Sequence, residues 1–504
     1  MTFSGEAAFS AFAADFARAL APGDCVLLEG DLGAGKTTFA RAAIRALAGA
    51  GGDRLEVPSP TFTLVQTYDL AMPVAHFDLY RIADPQELDE LGVPEALAEG
   101  IALVEWPQRA ADFLPGDAVH LAIREPADDP ASRAVTVTAS AGFAARLHRS
   151  LDIRAFLDAR GWSGATRRFL LGDASTRAYE TVEHDGKTAI LMDAPRRPDG
   201  PPVRDGKPYS QIAHLAEDVT AFVAIGKLLA GRGFRAPLIH AFDLDCGLVL
   251  LEHLGDAGIV DENRVPIRDR YLAAVECLAA MHAADWPRTV EVGNTSHRIP
   301  EFDRGAFLIE TGLLTDWFVP RATGLPPGEA ATKEFRRLWS EAFEQVDAMQ
   351  KSLLLRDFHS PNVLWLADEI GSRRVGLIDF QDALWGSTAY DVASLVQDAR
   401  VDVPPGLQVE MLDRYCACRA AQPGGFDEEA FRMAFAVLAA QRATKILGIF
   451  VRLDERDGKP AYLSHIPRLQ AYLRQVFDHP ALADLAAWYE RHGVLDATIG
   501  PQRQ

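Results

Sequence analysis

Two short stretches carry residues whose types and spacing could handle phosphate groups. The first, "GDLGAGKT", fits G-x-x-x-x-G-K-[ST] with Gly30, Gly35, Lys36 and Thr37. Glycines there let successive backbone N–H groups turn toward an anion, and a helix beginning at the loop adds its positive end. Lys36 can then reach terminal phosphates, and the Thr37 hydroxyl can join a Mg2+ ion. The second, "LRDFHSPNVLW" (355–365), spaces Asp357 and Asn362 as D-x-x-x-x-N, and "GLIDFQD" follows with Asp379 after an apolar run. Asp357 would accept the proton of an attacking hydroxyl, while Asn362 and Asp379 would hold Mg2+ across the phosphates. Each constellation therefore asks for its own ATP and Mg2+.

The first needs a strand, a loop and a helix in that order. Residues 5–20 have helical periodicity, and "CVLLEG" (25–30) is a short apolar run ending at the glycine loop. Further strand-like runs at 74–80, 101–106, 118–123 and 134–138, with a helix-like segment around 85–98, predict a small α/β domain with a partly parallel sheet. "IALVEW" places Glu105 at a strand end as a second metal contact, and Asp78 in "HFDLYR" is a further acid at a strand end. The boundary is expected near residue 148, giving domains 1–148 and 149–504. Beyond it, two β-like runs flank Asp185-Gly186 as a hairpin, a helix-like stretch covers 210–231, and "APLIHAFDLDCGLVLLEHLGD" gives two more strands. From about residue 267 the pattern is almost wholly helical, so a sheet lobe (165–256) is expected before a helical lobe (257–504). The segment joining them would bind adenine through backbone groups of Glu252 to Leu254, and "LGDASTRAYE" (171–180) would cover the phosphates. That loop is poor in glycine. Met192 stands about where a phosphate-binding lysine is usual, with Lys187 at the strand start and Arg196 and Arg197 past its end.

At 504 residues, 48% apolar and 24% charged, the chain has an ordinary globular composition and is too long for one core. The net charge is −20, with 11 basic against 21 acidic residues in 1–150 and 40 against 50 in the remainder. Neither part is basic enough for the chain alone to dock broadly on a phosphate backbone, so any nucleic-acid contact would be indirect. The start "MTFSGEAAFSAFAADF" lacks the basic opening of a signal peptide, and no uninterrupted apolar run approaches the roughly 18 residues of a membrane span. A cytoplasmic protein without membrane contact is expected. Cys25, Cys246, Cys277, Cys416 and Cys418 show no metal-site spacing and read as reduced core residues.

"GDLGAGKTTFAR", "SPTFTLVQTY", "HFDLYRI", "ELDELGVPEAL" and "LVEWPQR" occur in that order, and residues 1 to about 140 resemble the TsaE ATPases of tRNA threonylcarbamoyladenosine biosynthesis. The resemblance implies an α/β P-loop NTPase that joins TsaD and TsaB proteins. It assigns Gly30, Gly33, Ala34, Gly35, Lys36, Thr37 and Thr38 to ATP, Thr37 and Glu105 to Mg2+, and Asp78 to hydrolysis. Ser59, Pro60 and Thr61 would form a switch-like loop near the γ-phosphate, and Trp106 would be a partner or nucleotide contact or simply a core aromatic.

Residues about 150–500 resemble the aminoglycoside phosphotransferase superfamily, which has an α+β protein-kinase-like, two-lobed fold. "LLGDASTRAYE", "ILMDAP", "VLLEHLGD", "LLRDFHSPNVLWL" and "IDFQDALWGSTAYDVASLVQDAR" are similar to its AmgK group of amino-sugar kinases. The resemblance implies ATP-dependent phosphorylation of N-acetylmuramate and N-acetylglucosamine at the anomeric hydroxyl, in peptidoglycan recycling. Asp357 would be the base and Asn362 and Asp379 the Mg2+ ligands. Glu310, Asp316 and Trp317 are the sugar-contact candidates, against an amphipathic helix facing the core. Another small hydroxyl acceptor, such as an aminoglycoside, or a nucleotide-binding scaffold are the alternatives for this half.

Overall fold

Apolar side chains alternate from face to face along the N-terminal strands, and both faces must be covered. In the computed structural model, which describes residues 1–82, 91–170, 177–196 and 198–500, they are. The strands are β1 (Thr2–Ser4), β2 (Cys25–Glu29), β3 (Val65–Tyr68), β4 (Val74–Asp78), β5 (Ile101–Glu105), β6 (Val119–Arg124) and β7 (Ser132–Thr138). They lie in the order β1-β7-β6-β2-β5-β4-β3. The centre is parallel (β6, β2, β5, β4), and the outer strands run antiparallel. Val26, Leu28, Ile101 and Leu103 point into a core with Phe9, Phe12, Phe16, Phe39 and Phe143. Cys25, Leu27, Ala102 and Val104 point into a second core with Phe77 and Leu79. The helices are α1 (Gly5–Ala17), α2 (Lys36–Leu47), α3 (Val93–Glu99) and α4 (Ala141–Asp158). Of the helix expected around 85–98, residues 83–90 lie outside the described residues. Parallel register pairs Leu28 with Glu105 and Asp78 with Glu105, which brings the ends of three strands to one edge.

By internal contacts the chain forms two compact units, Met1–Asp193 and Ala194–Gln504. That division falls later than the boundary expected near 148. A buried ion network ties together segments from both sides of residue 148. Asp15 on α1 accepts from Arg154 Nε (2.7 Å) and Nη2 (3.0 Å) on α4 and from Arg167 Nη1 (3.0 Å). Arg167 in turn forks onto Glu180 at 2.7 and 3.0 Å. Ser150 Oγ donates to the Asp15 carbonyl at 2.8 Å. The strands β8 (Thr166–Leu170), β9 (Ala178–His184) and β10 (Lys187–Asp193) are thereby fastened to α1 as an antiparallel meander. Its turn is the expected hairpin, with Asp185 (φ 48°) and Gly186 (φ 73°) both left-handed as a type I′ turn requires.

The second unit contains the hairpins β11 (Pro202–Arg204) with β12 (Lys207–Pro208), β13 (Ile239–Asp243) with β14 (Leu248–Glu252), and β15 (Thr289–Val292) with β16 (Thr295–Arg298). Two further pairs frame the catalytic segment: β17 (Lys351–Leu354) with β20 (Leu384–Ser387), and β18 (Val363–Trp365) with β19 (Val375–Leu377). The stretch 210–231 is not one helix but a turn, Tyr209–Ile212, and α5 (Thr220–Gly231). The break holds His214 at φ 53° and is fixed by the Ala216 N–H on Asp382 Oδ1 (2.6 Å). The helical part includes α6 (Arg268–Ala283), α7 (Arg304–Leu313), α8 (Ala389–Val396), α9 (Glu428–Asp457) and α10 (Ile466–Phe477). By length and composition α9 could cross a membrane, with mean hydropathy 1.5 over its best window, yet 83% of that window is buried in the unit. Its apolar surface is core.

Removing one carboxylate from the ion network should strand a buried guanidinium. Asp15→Ala is expected to lower stability by about 3–5 kcal/mol, read as a lower urea midpoint of the full chain. Asp15→Asn should lie between it and the parent.

Candidate active sites

The glycine loop closes over β2 as its spacing demands. Gly30 (φ 148°), Gly33 (φ 82°) and Gly35 (φ 108°) are left-handed, and a Cβ on Gly30 would stand 2.5 Å from the Ile123 carbonyl oxygen. Ala34 is buried beneath the loop, and its carbonyl accepts from Arg133 Nε at 2.8 Å. Lys36 opens α2 and bridges back, donating to the carbonyls of Gly30 (2.8 Å) and Asp31 (2.9 Å). Its ammonium sits 3.7 Å from the centroid of the Trp106 ring. Burial lowers the Lys36 pKa, against the pull of Glu105, Asp78 and Asp31. Thr38 is half-buried in the first turn of α2.

Glu105 is buried and uses both oxygens: Thr37 Oγ1 donates to Oε2 at 3.0 Å, and His76 Nε2 meets Oε1 at 2.9 Å. Asp78, also buried, accepts from Thr61 Oγ1 (2.6 Å), Ser59 Oγ (3.3 Å) and the Tyr80 N–H (3.0 Å). The expected switch-like loop is thus tied to the expected hydrolytic acid. Thr37 and Glu105 are a hard, all-oxygen donor pair. Neighbouring ligands on a Mg2+ octahedron of about 2.1 Å bonds lie about 3 Å apart, the spacing found here, so the residues fit the ion. A cavity of about 770 Å3 beside the loop is lined by Gly30, Asp31, Ala34 and Trp106 among others. Trp106, left-handed at φ 59° and tilted against Tyr80, is half-buried: it packs against the second core and also lines this cavity.

In the second unit, Asp357 is half-buried on the loop leaving β17. Asn362 Nδ2 donates to the Asp357 carbonyl at 3.0 Å and to Asp379 Oδ2 at 3.4 Å, so the three residues of the D-x-x-x-x-N…IDF pattern come together. Gln381 Nε2 holds Asp379 Oδ1 at 2.9 Å. An amide and a carboxylate in contact are again a donor set for Mg2+. Arg356 (φ 70°) and Asp379 (φ 58°) are left-handed without being glycine, a strained backbone that the surroundings must enforce. Burial alone would raise the Asp357 pKa, but Lys445 and other nearby cations bring it below the usual carboxylate value, so the side chain is ionised at neutral pH.

The enforcing groups are carboxylates. Fully buried Asp391 on α8 accepts the N–H groups of Leu355 (2.6 Å) and Arg356 (2.8 Å), and Asp398 accepts that of Ser360 (2.8 Å). Glu310, expected as a sugar contact, is instead wholly buried and pairs with Arg356, Lys445 Nζ (2.8 Å) and Gln441 Nε2 (2.8 Å). Asp316 is exposed near Arg204, its pKa raised by partial desolvation. Glu252 forks onto Arg235 at 2.7 Å twice, and its N–H is taken by the Leu238 carbonyl (2.8 Å). Leu254, two residues further along, is buried. The expected phosphate-covering loop lies largely outside the described residues (171–176), as does Arg197, and Met192 is buried in β10. His76, Arg133, Asp391, Asp398 and Lys445 are site residues that spacing alone did not single out.

Two family models match the chain. Residues 3–135 match "Threonylcarbamoyl adenosine biosynthesis protein TsaE", and residues 166–433 match "Phosphotransferase enzyme family". An N-acetylmuramate/N-acetylglucosamine kinase of Caulobacter vibrioides is 37% identical over 352 residues, 67% of this chain and 95% of that protein. One from Pseudomonas putida is 32% identical over 317 residues, 62% of this chain and 84% of the relative. The TsaE protein of Rickettsia bellii is 40% identical over 119 residues, 23% of this chain and 81% of its own. The chain belongs to both families. It is a fusion enzyme in which a TsaE module, of an ATPase family, precedes a phosphotransferase.

Burial holds the His359 imidazole down to about 4, with Asp398 opposing the shift. Because the unfolded chain binds this proton more readily, folding should lose stability as pH falls from about 6.5 toward 4. His359→Gln should flatten that slope in urea titrations between pH 7 and 5.

Proposed function

We propose that the N-terminal module hydrolyses ATP in support of threonylcarbamoyladenosine formation on tRNA, seated on TsaD and TsaB proteins. We further propose that the phosphotransferase module moves the γ-phosphoryl group of ATP to the anomeric hydroxyl of N-acetylmuramate and N-acetylglucosamine. The convergence of Asp357, Asn362 and Asp379 carries the second reading, and the acceptor class follows the curated relatives. A scaffold without phosphotransfer has no use for an ionised aspartate held beside a metal-ligand pair.

In the transfer, Asp357 takes the proton of the anomeric hydroxyl as its oxygen bonds to the γ-phosphorus, and the bond to the bridging oxygen breaks to release ADP. Mg2+ bound between Asn362 and Asp379 would neutralise phosphate charge. Asn362 also braces the loop through the Asp357 carbonyl, so base and metal site stay in register. In the ATPase module, Lys36 is held at the loop by carbonyls that phosphate oxygens can replace, and Thr37 and Glu105 are the Mg2+ ligands. Asp78 would hold the attacking water, with Ser59 and Thr61 reporting on the terminal phosphate through the same carboxylate.

The two chemistries should separate by mutation. Asp357→Asn is expected to reduce phosphorylation of both sugars by about 10²- to 10⁴-fold and leave ATPase activity intact, measured with purified full-length protein. Lys36→Ala should do the converse, abolishing ATP hydrolysis stimulated by TsaD and TsaB. Loss of both activities in either variant would contradict independent sites, and turnover of aminoglycosides but neither amino sugar would overturn the acceptor.

A further inference from the structure

One buried cation beside the base lacks a carboxylate of its own. Arg442 on α9 is 6% exposed, and among the described residues its recorded hydrogen bond is a long one, from Nη1 to the Gln397 carbonyl at 3.4 Å. Its neighbours are committed elsewhere. Lys445, one turn further along α9, pairs with Glu310 at 2.8 Å and reaches Tyr390 Oη at 3.3 Å. Arg356 is bound to Glu310 and to the Ala213 carbonyl (3.0 Å). A guanidinium withdrawn from water without a close counter-ion is costly, and an incoming anion would remove that cost.

Arg442 opens onto a cavity of about 120 Å3 that is also lined by Asp357, His359, Asp398, Arg400, Lys445 and Ile449, and Asp398 is already engaged by the N–H groups of Ser360 and Arg400, both at 2.8 Å. Neither Asn362 nor Asp379 lines it, so it borders the base without including the proposed metal ligands, which leaves it open to the acceptor. The two acceptors differ in one respect. N-acetylmuramate carries a lactyl ether ending in a carboxylate, and N-acetylglucosamine has a plain hydroxyl at that carbon. We propose that Arg442 is the specificity-determining residue of the phosphotransferase, receiving the lactyl carboxylate of the acid-bearing acceptor. The inference rests on the amino-sugar reading above. A guanidinium suits the task because its planar fork matches a carboxylate with two parallel hydrogen bonds. Ile446 and Ile449 on the same helix give the cavity an apolar wall for the lactyl methyl group.

The test compares full-length wild type and Arg442→Gln on three acceptors: N-acetylmuramate, its uncharged lactamide and N-acetylglucosamine. The substitution should lower the ratio of kcat/KM for N-acetylmuramate over N-acetylglucosamine by about 10- to 100-fold, mainly through KM. Wild type should lose a similar factor on passing from the acid to the lactamide, while the variant should no longer distinguish them. The lactamide comparison in wild type needs no folded variant. An unchanged ratio with both sugars equally impaired would assign Arg442 to the transferring phosphoryl group or to folding and overturn the inference. Equal use of acid and lactamide by wild type would overturn it as well. A wild type inert toward both sugars would remove the amino-sugar reading itself, and the inference with it.

Discussion

A carboxylate with no access to water fixes the chemistry of the second module. Asp391 receives the N–H groups of Leu355 and Arg356, and this double contact holds Arg356 in a left-handed conformation that a non-glycine residue avoids unaided. Asp357 comes next in the chain, so its direction follows from that constraint. Asp398 fixes Ser360 from below, and Glu310 pins the Arg356 side chain. Three buried acids, two of them at and just beyond α8 and one on α7, thus clamp the six residues 355–360. Such charges bring little net stability, because their desolvation offsets most of the attraction. What they contribute is a single geometry, since each carboxylate is satisfied only when the loop lies in place.

The ATPase module reaches the same end with fewer groups. Glu105 divides its two oxygens between Thr37, at the start of α2, and His76 on the neighbouring strand β4. A carboxylate used this way fixes the helix relative to the sheet, and with it the loop that Lys36 closes. The arrangement depends on parallel strands, because only then do the ends of β2, β4 and β5 meet at one edge. Asp78 and Glu105 are direct neighbours in the ladder for that reason. One acid faces the helix hydroxyl and the other the Ser59–Thr61 loop.

What could be read from the sequence and what could not divide along a physical line. Glycines at fixed intervals, an acid closing an apolar strand and a turn such as Asp185-Gly186 are local signals, and each appears where its local chemistry placed it. Partnerships across long separations are different. Asp391 sits in "AYDVASLV", where an acid among apolar residues must have partners, but nothing nearby says that they are backbone groups 35 and 36 residues earlier. Glu310 shows the same ambiguity from the other side. Its helical setting suited either a sugar contact or the core, and only Arg356 and Lys445 decide for the core. The Asp15–Arg154–Arg167–Glu180 network, which joins segments on both sides of residue 148, has no sequence signature at all.

Charge carries the last step. A chain of net charge −20 is an unpromising host for anions, yet both modules must take ATP and one is assigned an acidic sugar. Overall charge acts over distances that salt screens, whereas a ligand in a pocket responds to groups within a few ångströms. Around Asp357 those groups are Arg356, Lys445, Arg400 and Arg442, on a loop and a helix that bring cations together in an otherwise acidic protein. Glu310 binds Arg356 and Lys445 at once, so one negative charge is shared between two positive ones and cannot neutralise both. Lys445 and the other cations near it keep Asp357 ionised before any substrate arrives. Arg442, whose hydrogen bond among the described residues goes to a backbone carbonyl and not to a carboxylate, is the member of that group that can meet a second anion at the acceptor. A site built to deprotonate a sugar hydroxyl is, by the same arrangement of charges, one that can receive a carboxylate.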